Sequence, residues 1–144
     1  MKIAIATDHA GRDIKLKVIE FLMQNQMEII DLSKVNEPTD DYPDFAFEVG
    51  KNVARNKANF GILICNTGIG VSIAANKVKG ARCALVHSTK DAKLARLHND
   101  ANIVALSSSM SMFRIKDILD VFINTKFSDI ERHSTRVEMI NKYK

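Results

Sequence analysis

The run from Phe60 to Asn76, FGILICNTGIGVSIAAN, constrains this chain more than any other stretch of it. An apolar strand ends in a thiol at Cys65, a turn containing Gly68 and Gly70 follows at once, and an Ala-rich helical stretch begins. A strand, a glycine turn and a helix start in that order gather backbone N–H groups over the strand end. Such a nest favours an anionic oxygen, whether a phosphate or a transient enolate. Gly68 and Gly70 allow backbone angles and a close approach that a β-carbon would obstruct. Cys65 stands beside the nest as a base or nucleophile.

Elsewhere, strand-like runs alternate with helical periodicity. Residues 2–7 form the first strand, which stops at Asp8-His9-Ala10-Gly11. Ile14, Val18, Phe21 and Leu22 then share one helical face. Residues 28–32 read as a second strand and 33–41 as a polar loop, and Pro43 opens a helix carrying Phe45, Val49 and Val53. After the strand at 61–65 and the helix following Gly70, residues 82–86 read as a fourth strand. Ser88 and Asp91 are spaced to cap a helix running through Leu97. Residues 102–106 read as a fifth strand. Ile115, Ile118, Leu119 and Phe122 mark another helix, and the C-terminal residues a weakly apolar one.

The strand runs are too continuously apolar for a sheet with one wet face. The expected fold is therefore α/β: a three-layer α/β/α sandwich on a Rossmann-like parallel sheet of about five strands, with a C-terminal helix. Ligands of such sheets sit at the strand carboxyl ends. That edge would gather Asp8-His9, Cys65-Asn66-Thr67, His87 and Ser107 to Ser109. His98 and Asn99 close a helix and fall at the opposite edge, so a second subunit would have to bring them to the site.

With 46% hydrophobic residues, the length suits a single domain over residues 1–144. The net charge of +4 is spread along the chain, 21 Lys and Arg against 17 Asp and Glu. No basic block or aromatic–basic interleaving points to nucleic acid; a mild cationic field suits small phosphorylated metabolites as well. Two cysteines without metal-ligand spacing, and no signal segment, imply a reduced cytoplasmic chain. No apolar stretch approaches the roughly 20 residues that cross a bilayer.

The candidate residues each read two ways. Cys65 is either a small buried hydrophobe or a thiolate, since backbone dipoles bring a thiol from about 8.5 towards neutrality, where it can accept a carbon-bound proton. Cys83, inside a strand, reads as core. Gly68-x-Gly70 is no dinucleotide fingerprint, because Ile73 holds the third glycine position and the motif follows the third strand. Asp8 either caps the next helix or works with His9. His98-Asn99-Asp100 is either a polar helix end or part of a site. Arg132 and Arg136 project side by side, as a solvated face or as a phosphate clamp with His133 beside it.

Together these segments resemble the ribose-5-phosphate isomerase B family, related to the galactose-6-phosphate isomerase subunits. The likeness runs nearly end to end. It includes residues 3–11, Asp41-Tyr42-Pro43, Gly61 through Gly70, Ser72 through Lys77, His98 through Asn102, Arg132-His133 and Arg136-Val137-Glu138. It implies reversible aldose–ketose isomerisation of ribose 5-phosphate and ribulose 5-phosphate, with neither metal nor organic cofactor. It also implies a homodimer with shared sites, or a tetramer of such chains. By the family pattern Cys65 is the base, His98 assists ring opening, and Asp8 and Thr67 lie near the sugar oxygens. The N–H groups of Asn66, Thr67, Gly68, Ile69 and Gly70 hold the enediolate oxygen. Asn99 binds the sugar, and His9, Arg132 and Arg136 bind phosphate.

Three positions depart from the pattern. Asn66 replaces a usual Gly, and Asn tolerates left-handed angles. Ser107-Ser108-Ser109-Met110 stands where many relatives carry a phosphate-holding Arg, so a contact is missing or made by hydroxyls. Val71 occupies the place of the Glu base of other relatives, which puts this chain with the cysteine users. Rival readings are a hexose-6-phosphate isomerase, acting on allose 6-phosphate or galactose 6-phosphate, and a non-catalytic phosphosugar-binding sensor.

Overall fold

A computed structural model of the chain describes residues 1–143. Five strands, β1 (Lys2–Thr7), β2 (Glu28–Asp31), β3 (Phe60–Cys65), β4 (Cys83–Leu85) and β5 (Ile103–Ser107), form one parallel sheet in the order β2-β1-β3-β5-β4. Among the described residues a 3-10 turn (His9–Gly11) and six α-helices accompany it: α1 (Arg12–Gln24), α2 (Tyr42–Ala54), α3 (Ile69–Ala75), α4 (Thr89–Asn99), α5 (Met112–Asn124) and α6 (Glu131–Lys142).

Strand side chains alternate between faces, and both faces are covered. Ile3, Ile5, Ile62, Ile64, Val104 and Leu106 pack against Val18 and Leu22 of α1, Ala92 of α4 and Ile115, Leu119 and Phe122 of α5. Ala4, Ala6, Leu63, Cys65 and Ala105 meet Val49 and Val53 of α2 and Val71 and Ala75 of α3. Fully burying each isoleucine contributes about 1.5–3 kcal/mol. The expected three layers and parallel sheet are present.

The departures are local. Arg82 leaves the fourth strand because the Asn102 side chain takes its N–H at 2.8 Å. α3 starts at Ile69, since Gly68 at φ +79° ends the turn. α4 runs on to Asn99, where Asp100 at φ +44° stops it, so His98 sits in the last helical turn. The expected cap is reciprocal: Ser88 Oγ accepts from the Asp91 N–H at 3.1 Å, and the Asp91 carboxylate accepts from the His87 N–H at 3.2 Å.

β1 and β3 are neighbours, yet α1 and α3, which follow them, lie on opposite faces. The chain therefore parts at the carboxyl ends of these strands, the crevice where α/β sheets bind ligands. Thr7 pairs with Ile64, which brings Asp8 beside Cys65.

Candidate active site

Cys65 is buried, 5% exposed, and its Sγ accepts a hydrogen bond from the Gly68 N–H at 3.1 Å. A β-carbon on Gly68 would lie 2.6 Å from Leu85 Cδ1 and 3.1 Å from the Leu106 carbonyl carbon, in a left-handed conformation. Gly70 serves a different need: a β-carbon there would stand 2.5 Å from the Tyr42 ring. Tyr42 thus closes over the loop, a part that its place in the sequence did not reveal.

The predicted nest is partly occupied by its own neighbours. The Gly68 N–H lies on Cys65 Sγ, and the Ile69 N–H on Thr67 Oγ1 at 3.2 Å. Asn66 does not adopt a left-handed angle, so the tolerance of Asn for that region is not called upon. Its carbonyl accepts from Ser107 Oγ at 2.6 Å, and Ser107 Oγ in turn meets Ser109 Oγ at 2.7 Å. The Ser108 N–H donates to the Cys65 carbonyl at 2.8 Å. The serine run therefore braces the loop from the β5 side. Asn66, Thr67, His87, Ser107, Ser109 and Arg114 line an open cleft of about 650 Å³ alongside.

On the β1 side, Asp8 is buried and its Oδ1 accepts from the Ala10 N–H at 3.0 Å, which caps the short 3-10 turn His9–Gly11 and not α1, whose N-cap Gly11 has no side-chain bond. His9 is exposed beside it. The turn is held from behind by a residue with no signal in the sequence. The Lys15 ammonium, fully buried, donates to both Asp31 oxygens at 3.0 Å and to the Ser33 carbonyl at 2.6 Å. Ser33 Oγ accepts from the Thr7 N–H at 3.0 Å, and Asn36 Nδ2 donates to the Thr7 carbonyl at 2.8 Å.

A second group assembles at the opposite edge of the sheet. His98 packs on His133 with ring centroids 4.4 Å apart and ring planes tilted by 40°. His133 is buried, bonded through Nδ1 to Ser128 Oγ at 2.7 Å, and flanked by exposed Arg132 and Arg136. Desolvation holds its imidazole below the ordinary histidine range, helped by the charges of His98, Arg132 and Arg136. Asn99 is exposed next to His98. A strand's length separates the two groups, roughly 16 Å at about 3.3 Å per residue. One chain thus brings Asp8, His9, Cys65 and residues 66–70 together, and His98, Asn99, Arg132 and Arg136 together, but not the first set with the second. Cys83 is half-buried against the core on the edge strand, and desolvation pushes its thiol up to about 12.

The sequence matches the family model described as ribose/galactose isomerase over residues 3–140. It is 36% identical to ribose-5-phosphate isomerase B of Mycobacterium tuberculosis, over 99% of this chain and 90% of that one. The fold superposes with a TM-score of 0.93 on ribose-5-phosphate isomerase B from Mycoplasma genitalium with bound ribulose-5-phosphate. That protein is 43% identical, with 99% of this chain and 95% of that one covered. A Clostridium thermocellum ribose-5-phosphate isomerase B gives a TM-score of 0.94 at 40% identity, covering 99% and 96%.

Proposed function

The chain belongs to the ribose/galactose isomerase family, and on that premise we propose that it interconverts ribose 5-phosphate and ribulose 5-phosphate through an enediolate. The observation that carries this is the Mycoplasma genitalium relative with ribulose-5-phosphate bound, alike in fold along nearly the whole chain.

Cys65, as thiolate, takes the proton from C2 of the open-chain aldose, and the electron pair moves onto the C1 carbonyl oxygen. A proton passes from O2 to O1 and the sulfur returns its proton to C1, leaving the ketose. Removing a proton beside a carbonyl requires that the developing oxyanion be held, and preorganised N–H donors contribute about 3–4 kcal/mol each. The segment from Asn66 to Gly70 is the source of those donors. The Gly68 and Ile69 N–H groups exchange their sulfur and hydroxyl partners for the substrate oxygen. Asp8 and Thr67 lie at the sugar hydroxyls, with His9 towards the phosphate.

His98 assists ring opening, Asn99 binds the sugar, and Arg132 and Arg136 hold the phosphate, which lets remote binding energy act at the reacting carbons. Because these residues stand at the far edge of their own sheet, each site is shared across an isologous homodimer. The cationic cluster, repelling itself in the free protein, is relieved by the phosphate dianion.

The test is conversion of ribose 5-phosphate by wild type and Cys65→Ala, with chelator present. Loss of turnover by about 10²–10⁴-fold in the variant is expected, the range a general base supplies. Equal rates in both would remove Cys65 from the mechanism. No turnover in either, with turnover of allose 6-phosphate or galactose 6-phosphate, would move the substrate to a hexose. Binding without turnover of any of these would leave a sensor.

A further inference from the structure

The cationic cluster is built from two helices. His98 and Asn99 end α4, whereas Arg132, His133 and Arg136 begin α6. One guanidinium ties the two helices together. Arg82 Nε donates to the Asp100 carbonyl at 2.9 Å, Nη2 to Asp100 Oδ2 at 2.9 Å, and Nη1 to Asn141 Oδ1 at 3.0 Å. Asp100 follows His98-Asn99 directly and adopts the left-handed φ of +44° that ends α4. Its other oxygen accepts from Arg96 Nη1 at 2.7 Å, and that buried guanidinium lies 4.8 Å over the Phe60 ring and also donates to the Ala101 carbonyl.

We propose that Arg82 and Asp100 are positioning residues that lock the end of α4 to α6, so that His98 and the Arg132–Arg136 pair meet substrate as one rigid unit. The proposal rests on the roles given to those residues above. Besides burying Val137, α6 is held at two points, near its start by the His98–His133 ring contact and near its end by Asn141 on Arg82. Two attachments fix a helix's direction where one would leave it free to swing. A helix end alone needs only a left-handed residue, for which Gly or Asn suffices. Two arginines on one carboxylate, with a third arm reaching α6, exceed that need. They also engage the Asp100 charge, so that it does not neutralise the neighbouring cluster. The planar fork of Arg82 makes three directed bonds at once, which Lys cannot.

The experiment is steady-state kinetics in both directions on Arg82→Gln, Arg82→Lys and Asn141→Ala, beside His98→Ala, with solvent deuterium exchange at C1 of ribulose 5-phosphate. That ketose is open-chain because its C5 hydroxyl is phosphorylated, so the exchange needs the base and the phosphate grip but no ring opening. Asn141→Ala should raise KM for both sugar phosphates about 5–10-fold with kcat held. Arg82→Gln should do the same and also lower kcat from ribose 5-phosphate about 10-fold more than it lowers exchange. Arg82→Lys, keeping the Asp100 contact but not the reach to α6, should recover kcat and not KM. Wild-type constants in the variants, or conversion and exchange falling in proportion, would overturn the positioning role. Should Arg82→Gln fail to fold, the Lys and Asn141 variants decide it. A split in His98→Ala without one in Arg82→Gln sinks the clamp alone. No split in His98→Ala sinks the role of His98 and the clamp with it.

Discussion

The Sγ of Cys65 and the N–H of Gly68 meet at 3.1 Å, closing a turn that a left-handed residue alone can make. The strand end and the first turn of α3 are thereby joined through a side chain and not through the sheet. Position of the sulfur and conformation of the loop are one variable. A change at residue 68 reaches the thiol even though it alters no functional side chain.

Gly68→Ala is therefore expected to cost about 2–4 kcal/mol of stability, from a left-handed alanine and its clash with Leu85 and the Leu106 backbone. Turnover should fall by about 10²-fold at temperatures where the variant is folded, because displacements near 1 Å at a reacting centre cost that much. Urea denaturation and an isomerase assay on the same preparation check both. Loss of stability with full activity would separate the sulfur's position from the loop's.

Cys83 should resist alkylation while the fold is intact. With burial pushing its thiol up to about 12, the thiolate is about one part in ten thousand at pH 8. Iodoacetamide treatment of the native protein, followed by peptide mass mapping, should leave Cys83 unmodified until denaturant is added. Rapid native labelling at Cys83, half-buried on the edge strand β4, would show that its thiol is not held up by burial.

The fold was legible because its signals are local and periodic. Apolar runs at residues 2–7 and 60–65 and helical spacing at Ile115, Ile118, Leu119 and Phe122 each specify one element, and their alternation specifies a covered parallel sheet. The division of the candidate residues between two sheet edges followed from the same alternation. What stayed hidden depends on contacts distant in sequence. Lys15 reads as a solvated helix residue, and only Asp31 and Ser33 explain how its charge is buried. Tyr42 over Gly70 joins segments that no period connects. The pairing of the Gly68 and Ile69 N–H groups with neighbouring side chains is a matter of rotamers, which spacing does not encode.

Lys15→Met should be among the most destabilising single changes. It leaves the half-buried Asp31 carboxylate without its cation and releases Ser33, which holds the Thr7 N–H. Breaking one side of a buried pair costs about 3–5 kcal/mol. Lys15→Met with Asp31→Leu should recover part of that loss, since the uncompensated charge goes too. Equal stability of the single and double variants, measured in urea, would place the loss in packing alone.

Stability should decline as pH falls through the histidine range. Burial first, then the charges of His98, Arg132 and Arg136, keep the folded His133 pKa below its unfolded value near 6.5. Between those two values the unfolded chain binds more protons. The contribution is thus fully present above about 6.5 and is lost as pH falls towards the depressed folded value. Thermal melts from pH 8 to 5 should show this slope, flattened in His133→Phe. Inorganic phosphate should flatten it as well, because an anion on the cluster favours the charged imidazole. A wild-type slope in His133→Phe would assign the acid sensitivity to other groups.

Finally, Cys65→Ala and His98→Ala should each be nearly inactive alone and recover activity when mixed. In an isologous dimer with shared sites, a mixed dimer holds one site with both defects and one with neither. Random exchange makes half of the dimers mixed, so activity should return to about a quarter of wild type. The two variants would be co-unfolded, refolded together and assayed on ribose 5-phosphate, with differently tagged chains to isolate the mixed species. Recovery requires that Cys65 of one copy and His98 of the other serve the same substrate. Mixed dimers that remain inactive would mean that one chain's Cys65 works without the other's His98, and the strand's length between them would then need a different bridge.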